Sequence, residues 1–537
     1  MKATPKIRIA VFFLLLIIFC CAPIWSVEYF INQDGSAHIY SSFIMLELLR
    51  GNPQIGEFFA FNSVSVPNSS GHWLMALLLT VFSPFLVTKI IVTLTFAGLV
   101  AGAGWLRYKT AGLESVRTSF LIGAAIAFNW LWLCGFYNFL IGVCCFVFTV
   151  GLFCGWRDKM DWRRAIVLSL LFLLAYLSHI VSFAILAGSI FLLLFSAEKS
   201  YTKRNLLYFF AALLPVLPLL IIYKTVSVSG GGFYPVWRNL ENPFSPVSWI
   251  LQMRTADSFI LMSRRYFPFI AKPSTFFSIF TPFLWILTAL AALGVAIFKE
   301  KEKSFLLLKP YRIFAFLFFA TIAAALFLPD DFGLSNGGVL RERFLICGLL
   351  LAVPLFRVDN SRVLKRAAQI CLIFVVVFQT ATLWEYSLRT DREAKIFLSA
   401  RNALSGSSKL AATIVFEDSA KFSSFPLSEI NNFHGFEKNR VIWDNYELGH
   451  YLFPIVAKRA EDKGFVLDLT QNNVFVFENS NVNFDVRLAK LETCFAENNQ
   501  KIDALTVWGA NERVEAVLSR WFEPTFENGK IRVFRHK

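Results

Sequence analysis

Long apolar runs recur through the chain, and they decide what it can fold into. They lie near 9–27, 85–106, 119–136, 138–156, 165–178, 181–196, 205–223, 275–298, 313–328, 344–356 and 367–385. A bilayer core is about 30 Å thick and takes ~20 apolar residues of helix to cross. The pattern predicts about 11 transmembrane helices, those within 165–196 and at 344–356 being short.

Composition closes off the alternatives. Only 17% of the 537 residues are charged and 56% are hydrophobic, against about 25% charged in ordinary soluble chains. A soluble fold of this length, a disordered chain and a collagen-like repeat are excluded on those figures. Of the nine cysteines, all but Cys494 sit in or beside apolar runs, and no paired C-x-x-C appears. Disulfide frameworks and zinc ribbons are therefore excluded as well.

The net charge of +15 is no sign of nucleic acid here, because basic residues set membrane orientation. Lys2, Lys6 and Arg8 precede the first run. Arg107, Lys109 and Arg117 follow the second, Arg157 to Arg164 the fourth, Lys199 to Arg204 the sixth, Lys299 to Arg312 the eighth, and Arg357 to Arg366 the tenth. Every second loop is basic, which places the N-terminus in the cytoplasm and the C-terminus outside. Residues 72–83 (HWLMALLLTVFS) are apolar but too short to cross and read as a helix at the outer face. The first run lacks a convincing small-x-small cleavage site and reads as an uncleaved anchor.

A division into two domains follows. Residues 1–389 form a multi-span domain with outer loops at 28–84, 224–274 and 329–343, and residues 390–537 form a polar outer domain. In the latter, 410–416, 464–469, 474–478, 502–509 and 530–535 read as strands, and 511–522 as helix. The fold class is thus a polytopic α-helical membrane protein with a C-terminal extracytoplasmic α/β domain.

Chemistry concentrates in the first outer loop. A helix is expected from about Asp34 or Ser36 to just before Gly51. Asp34 and His38 are four apart, so on a helical start they share a face. A carboxylate at a dry interface serves as a general base, and with an imidazole beside it the pair could ligate a divalent cation such as magnesium or manganese. The same residues also fit a plain helix cap and an interfacial histidine.

The Q-D-G-S-A-H-I-Y string at 33–40, in a long outer loop directly after the first span, resembles the GT-C glycosyltransferases, being similar to the D-G-x-x-H segment of their bacterial members. These multi-span enzymes take a sugar from a polyprenyl-phosphate carrier at the outer membrane face. The family's acidic pair is here a single carboxylate, with Glu28 six residues earlier. The resemblance implies a bacterial inner-membrane enzyme in which Asp34 deprotonates an acceptor hydroxyl of a glycan, lipid or protein, with inversion at the sugar carbon. It calls for cations to stabilise the departing phosphate. Arg341 and Arg343, shortly after Gly337–Gly338, are suited to it. His38, His179 and Lys89 join them as substrate-binding candidates, although His179 also fits a turn and Lys89 a snorkelling side chain.

Two other classes remain open at this stage. A transporter or lipid flippase would place polar residues at mid-membrane, where the runs are nearly free of charge. A non-catalytic assembly subunit would use the tail to recruit partners.

Overall fold

The computed structural model describes residues 4–229, 234–237, 258–259, 261, 309–333, 338–356, 362–415, 422–437, 440–475 and 481–537, apart from the single positions 65, 114 and 198. Helix dominates it. In chain order the helices are α1 (Pro5–Trp25), α2 (Gly35–Leu49), α3 (Pro53–Phe58), α4 (Ser70–Leu79), α5 (Pro84–Ala111), α6 (Val116–Ala127), α7 (Trp130–Cys134), α8 (Tyr137–Trp156), α9 (Trp162–Ser178), α10 (Ile180–Leu194), α11 (Lys199–Leu213), α12 (Leu217–Ser229), α13 (Lys309–Phe327), α14 (Leu340–Ala352) and α15 (Arg362–Leu398). The C-terminal region adds α16 (Ala460–Asn472), α17 (Asn481–Asn498) and α18 (Glu512–Leu518).

Among the described residues, α1, α5, α8, α13 and α15 are long and apolar enough to cross a membrane. The pair α11–α12, bent by 47° at its break, would make a sixth. The protein is therefore a helical membrane protein, but eleven spans are not shown. Length is the reason: α9 and α10 have 17 and 15 residues and α14 has 13. At 1.5 Å per residue the longest of these reaches only about 26 Å. The run at 119–136 is interrupted at Asn129, whose side chain donates to the carbonyls of Ile126 and Ala127 and accepts from Trp132 N. The run at 275–298 lies outside the described residues, as does most of the 224–274 loop.

The chain forms two compact units. The first comprises residues 1–22, 92–132 and 137–382, and the second residues 23–91, 133–136 and 383–537. The second unit thus unites the loop after α1 with the tail, instead of beginning at residue 390. In the first unit, α8, α9, α10 and α11 pack as successive neighbours, and α13 packs on α14. Large apolar side chains remain on the outside of α1 (Val11, Leu14, Leu15, Ile18) and of α9 (Ile166, Leu170). Such a surface suits lipid as solvent, and the helix satisfies its own backbone groups there.

The second unit is built on a five-stranded sheet. Its strands are β2 (Lys409–Ile414), β3 (Val441–Ile442), β5 (Ala504–Trp508), β6 (Phe522–Asn528) and β7 (Ile531–His536), in the order β3-β2-β5-β7-β6. The pairs β3–β2 and β2–β5 are parallel, whereas β5–β7 and β7–β6 are antiparallel. A separate ladder joins β1 (Phe59–Phe61) to β4 (Ile455–Ala457). The expected strand at 464–469 is instead part of α16. Phe465, Val466 and Leu469 are buried there, a helical spacing that a short apolar run can hide. Of 474–478, Val474 makes an isolated bridge with Ile414 and residues 476–478 lie outside the described set. The expected strands at 410–416, 502–509 and 530–535 correspond to β2, β5 and β7, and β6 is an addition.

One apolar core runs through this unit. Tyr40, Ile44, Met45, Ile55 and Phe59 share it with Phe397, Ile430, Trp443, Phe465 and the sheet residues Leu410, Val507 and Val533. Helix α2 is consequently buried around most of its circumference, which explains why its sequence lacks a sharp polar face.

Candidate functional site

The site grows from the start of α2. Asp34 occupies the N-cap position, yet its side chain makes no capping hydrogen bond. Its backbone is held from the other side, since Asp34 N donates to Cys134 O at 2.8 Å and Asn32 Nδ2 to Leu133 O at 3.0 Å. That close approach requires Gly135, whose φ is +92°; a Cβ there would press on Gly35 and Asn32. The Asp34 carboxyl is left facing the interior, only 7% exposed. Burial pushes its pKa up to about 6, with Glu447 adding to the rise and His38, Gln33 and Tyr446 opposing it.

One turn on, His38 Nδ1 meets Glu447 Oε1 in a buried contact. Glu447 sits in a 3₁₀ turn, Tyr446–Gly449, whose N-cap Asn445 accepts from Glu447 N at 3.0 Å. The same Asn445 donates to Ala37 O and Ser41 Oγ, both at 3.2 Å. Asn445 therefore fixes the carboxylate-bearing turn and ties it to α2. A second imidazole reaches Glu447 from α4: His72 Nε2 lies 3.0 Å from Oε2 and 3.2 Å from Oε1. Phe453 covers both rings, at 6.3 Å from that of His38 and 6.0 Å from that of His72.

Charge in this pocket is unevenly held. Burial opposes ionisation of Glu447, but the positive charges and hydrogen bonds of His72 and His38 outweigh it and keep the carboxyl well below the usual range. Burial likewise opposes the His38 imidazolium, and Glu447, Asp34 and the Gly135 backbone overcome it, raising the pKa. Farther along, burial lifts Asp444 to about 7 against a hydrogen bond from Asn431 at 2.7 Å. Glu429 is held well above the ordinary value by burial and by Asp444, Asp34 and Glu447. Four carboxylates and two imidazoles thus share a dry interior.

Among the described residues, the set whose donor atoms converge as metal ligands is His38, His72 and Glu447. This departs from the expected Asp34–His38 pair, since Asp34 is not in the set. His72 escaped the sequence reading because it opens an apolar run; it is the only ionisable group in 70–83, which was the available signal. Asp444, Glu447 and Glu429 lie in the polar tail with no local motif to single them out.

The remaining candidates have other partners. Lys89, in the second unit, donates to the carbonyl of Val27. Glu28 pairs with Lys395 at 3.4 Å near the surface. In the first unit, Arg341 is buried and donates to Ala325 O at 2.9 Å and to Asp330 Oδ1 at 3.2 Å. Arg343 lies over the Phe139 ring at 5.5 Å, and His179 packs edge-on to that ring at 5.3 Å while accepting from Val181 N to cap α10. Arg343 and His179 thus meet at Phe139, and all three residues belong to a different unit from Asp34.

No protein-family model matches the chain, and no curated protein matches it.

Proposed function

We propose that the protein is a membrane glycosyltransferase that moves a sugar from a polyprenyl-phosphate donor to an acceptor hydroxyl, with Asp34 as general base. The observation that carries this reading is a buried carboxylate at a helix N-cap that does no capping and has a pKa near 6. A base of that strength is largely ionised at neutral pH and strong enough to take a proton from a hydroxyl as its oxygen begins to bond. Asp34 accepts the acceptor's proton, the acceptor oxygen bonds to the anomeric carbon, and the bond from that carbon to the phosphate oxygen breaks. The configuration inverts, and the polyprenyl phosphate leaves with the electron pair. Alignment and stabilisation of the departing charge supply the rest of the rate. On this reading Lys89 and His38, in the same unit as Asp34, bind substrate, His38 on the acceptor side. The full set of about eleven spans and the placement of α2 and the tail on the periplasmic or extracellular side of a bacterial inner membrane belong to the same proposal.

The test is sugar release in purified membranes from a panel of polyprenyl-phosphate sugars. Wild type should turn over at least one donor, and Asp34→Asn, inserted and folded, should lose turnover. Equal turnover in the two proteins would remove Asp34 from the mechanism. If no donor in the panel reacts, the reading fails and lipid translocation in vesicles becomes the next measurement.

A further inference from the structure

We infer that His38, His72 and Glu447 form a binding site for a single divalent transition-metal ion of the zinc class. The proposal stands apart from the sugar-transfer reading, because it rests on the hydrogen-bond roles of two rings.

His72 is the more decisive. Its Nδ1 lies 2.9 Å from the carbonyl oxygen of Asn68, which can only accept, so Nδ1 carries the hydrogen. A neutral imidazole with that tautomer has a lone pair at Nε2. Yet Nε2 faces both oxygens of Glu447, at 3.0 and 3.2 Å, and a carboxylate also only accepts. Three lone-pair-bearing atoms thus point at one another in a fully buried place. Something positive has to lie between them: an added proton or a metal ion.

His38 adds a second ring to the same carboxylate: its Nδ1 meets Glu447, and the Gly135 backbone joins Glu447 and Asp34 in favouring its imidazolium. A metal-ligating histidine characteristically donates its second ring nitrogen to a backbone carbonyl or carboxylate, which fixes the tautomer and aims the free lone pair. His72 has that outer support from the carbonyl of Asn68. The charge accounting agrees. Two imidazolium rings and one carboxylate sum to the same charge as two neutral rings, one carboxylate and one divalent cation, so the ion replaces two protons at no net change.

The donor set selects the metal. The donor atoms of the three residues lie within 4.8 Å of one another, all buried. Two imidazole nitrogens and a carboxylate oxygen suit zinc, whereas magnesium prefers an all-oxygen shell with several waters. Three protein ligands also leave a coordination position for water or a substrate oxygen.

The full-length protein in detergent, stripped with a chelator and re-equilibrated with cobalt(II) or zinc, tests this. Wild type should retain one ion per chain after gel filtration. The cobalt form should show the visible bands of a nitrogen- and oxygen-ligated ion, erased by zinc. Losing an outer partner alone weakens metal binding about 10–100-fold, so His72→Gln, His38→Gln and Glu447→Gln should each weaken it by more than that. His536→Gln, far along β7, should bind as wild type does. Asp34→Asn should also keep its metal even where it loses sugar transfer, which separates the two proposals. A wild-type protein that retains no stoichiometric ion overturns the inference whatever the variants do. So does undiminished binding in the His72 and Glu447 variants.

Discussion

Replacing Glu447 by Gln keeps the shape of the side chain and removes only its charge. The carboxylate is buried with both imidazoles against it. In the chelated protein the substitution takes from the His38 imidazolium the carboxylate bonded to it, and breaking one side of a buried pair costs about 3–5 kcal/mol. For a cooperative unit of roughly 150–250 residues, each kcal/mol moves the midpoint by about 2–4 °C, so a loss on the order of 10 °C is expected. The pH dependence is set by the two directions of shift. Glu447 is held below its ordinary 4.5, so its contribution is present above that value and fades as pH falls through the depressed one. His38 is raised above 6.5, so its contribution is complete below that value and is lost as pH rises through the raised one. The gap between wild type and variant should therefore be widest between pH 4.5 and 6.5 and narrow on both sides. Thermal unfolding followed by circular dichroism, with chelator present across a pH series, reads it. A gap that stays constant with pH would mean that Glu447 acts through packing alone, and the charge argument would be wrong.

Asp444→Asn should act in the opposite sense. The folded protein holds the Asp444 proton up to about pH 7, against 3.8 for a free carboxyl, so wild-type stability drains as pH rises between those values, by up to about 4 kcal/mol. The variant should lose most of that slope and melt higher than wild type at pH 8; an unchanged slope would assign it to another group. Asp34 should give the transfer rate a limb that rises with pH around a midpoint of about 6 and then levels. Its replacement by Asn should cost about 10²–10⁴-fold, and a rate profile flat from mildly acidic to neutral pH would count against it as the base. Gly435→Ala drives a Cβ into the Cε2–Cδ2 edge of the Tyr40 ring. Displacing that ring breaks its hydrogen bonds to Arg440 O, 2.6 Å, and from Ile442 N, 3.2 Å, so a loss of about 2 kcal/mol or more in thermal stability is expected.

The sequence makes the local features legible and hides the distant ones. Helix α2 has the expected bounds because Asp34 precedes it and Gly51, at φ +72°, follows it. The apolar runs marked where helices would form, but composition does not show whether one helix continues or breaks. At Asn129 the side chain satisfies freed backbone groups and lets the chain turn within an apolar run. The strand expected at 464–469 failed for a related reason, since its apolar residues supply both 465, 467 and 469 at strand spacing and 465, 466 and 469 at helix spacing. The metal-ligand set lay beyond a single sequence altogether. His38 and Glu447 are separated by 409 residues, and no local pattern links them. His72 was recoverable in principle, because an isolated ionisable group in an apolar helix calls for a buried partner.

That separation makes the loop after α1 and the tail depend on each other. Loop closure grows slowly with length, about 0.6 kcal/mol per doubling, so drawing residues 409 apart together costs only about 1.2 kcal/mol more than closing a 100-residue loop. Against this, Tyr40, Ile44, Met45, Ile55 and Phe59 are almost wholly buried in the core shared with the tail. Each such side chain is worth about 1.5–3 kcal/mol on burial. Polar groups are shared as well. Asn445 donates into α2, Ser36 Oγ donates to Glu429 O at 2.6 Å, and β4 pairs with β1. A tail cut free at residue 390 would keep the central strands β2, β5 and β7 but lose one wall of its core and expose Trp443, Ile430 and Leu448. It should retain secondary structure while losing near-ultraviolet circular dichroism and cooperative melting. Supplying residues 23–91 on the same chain should restore both. A free tail with native near-ultraviolet bands and a sharp melt would show that α2 is packed onto a domain already complete, and that His38 and Glu447 meet between two independent folds.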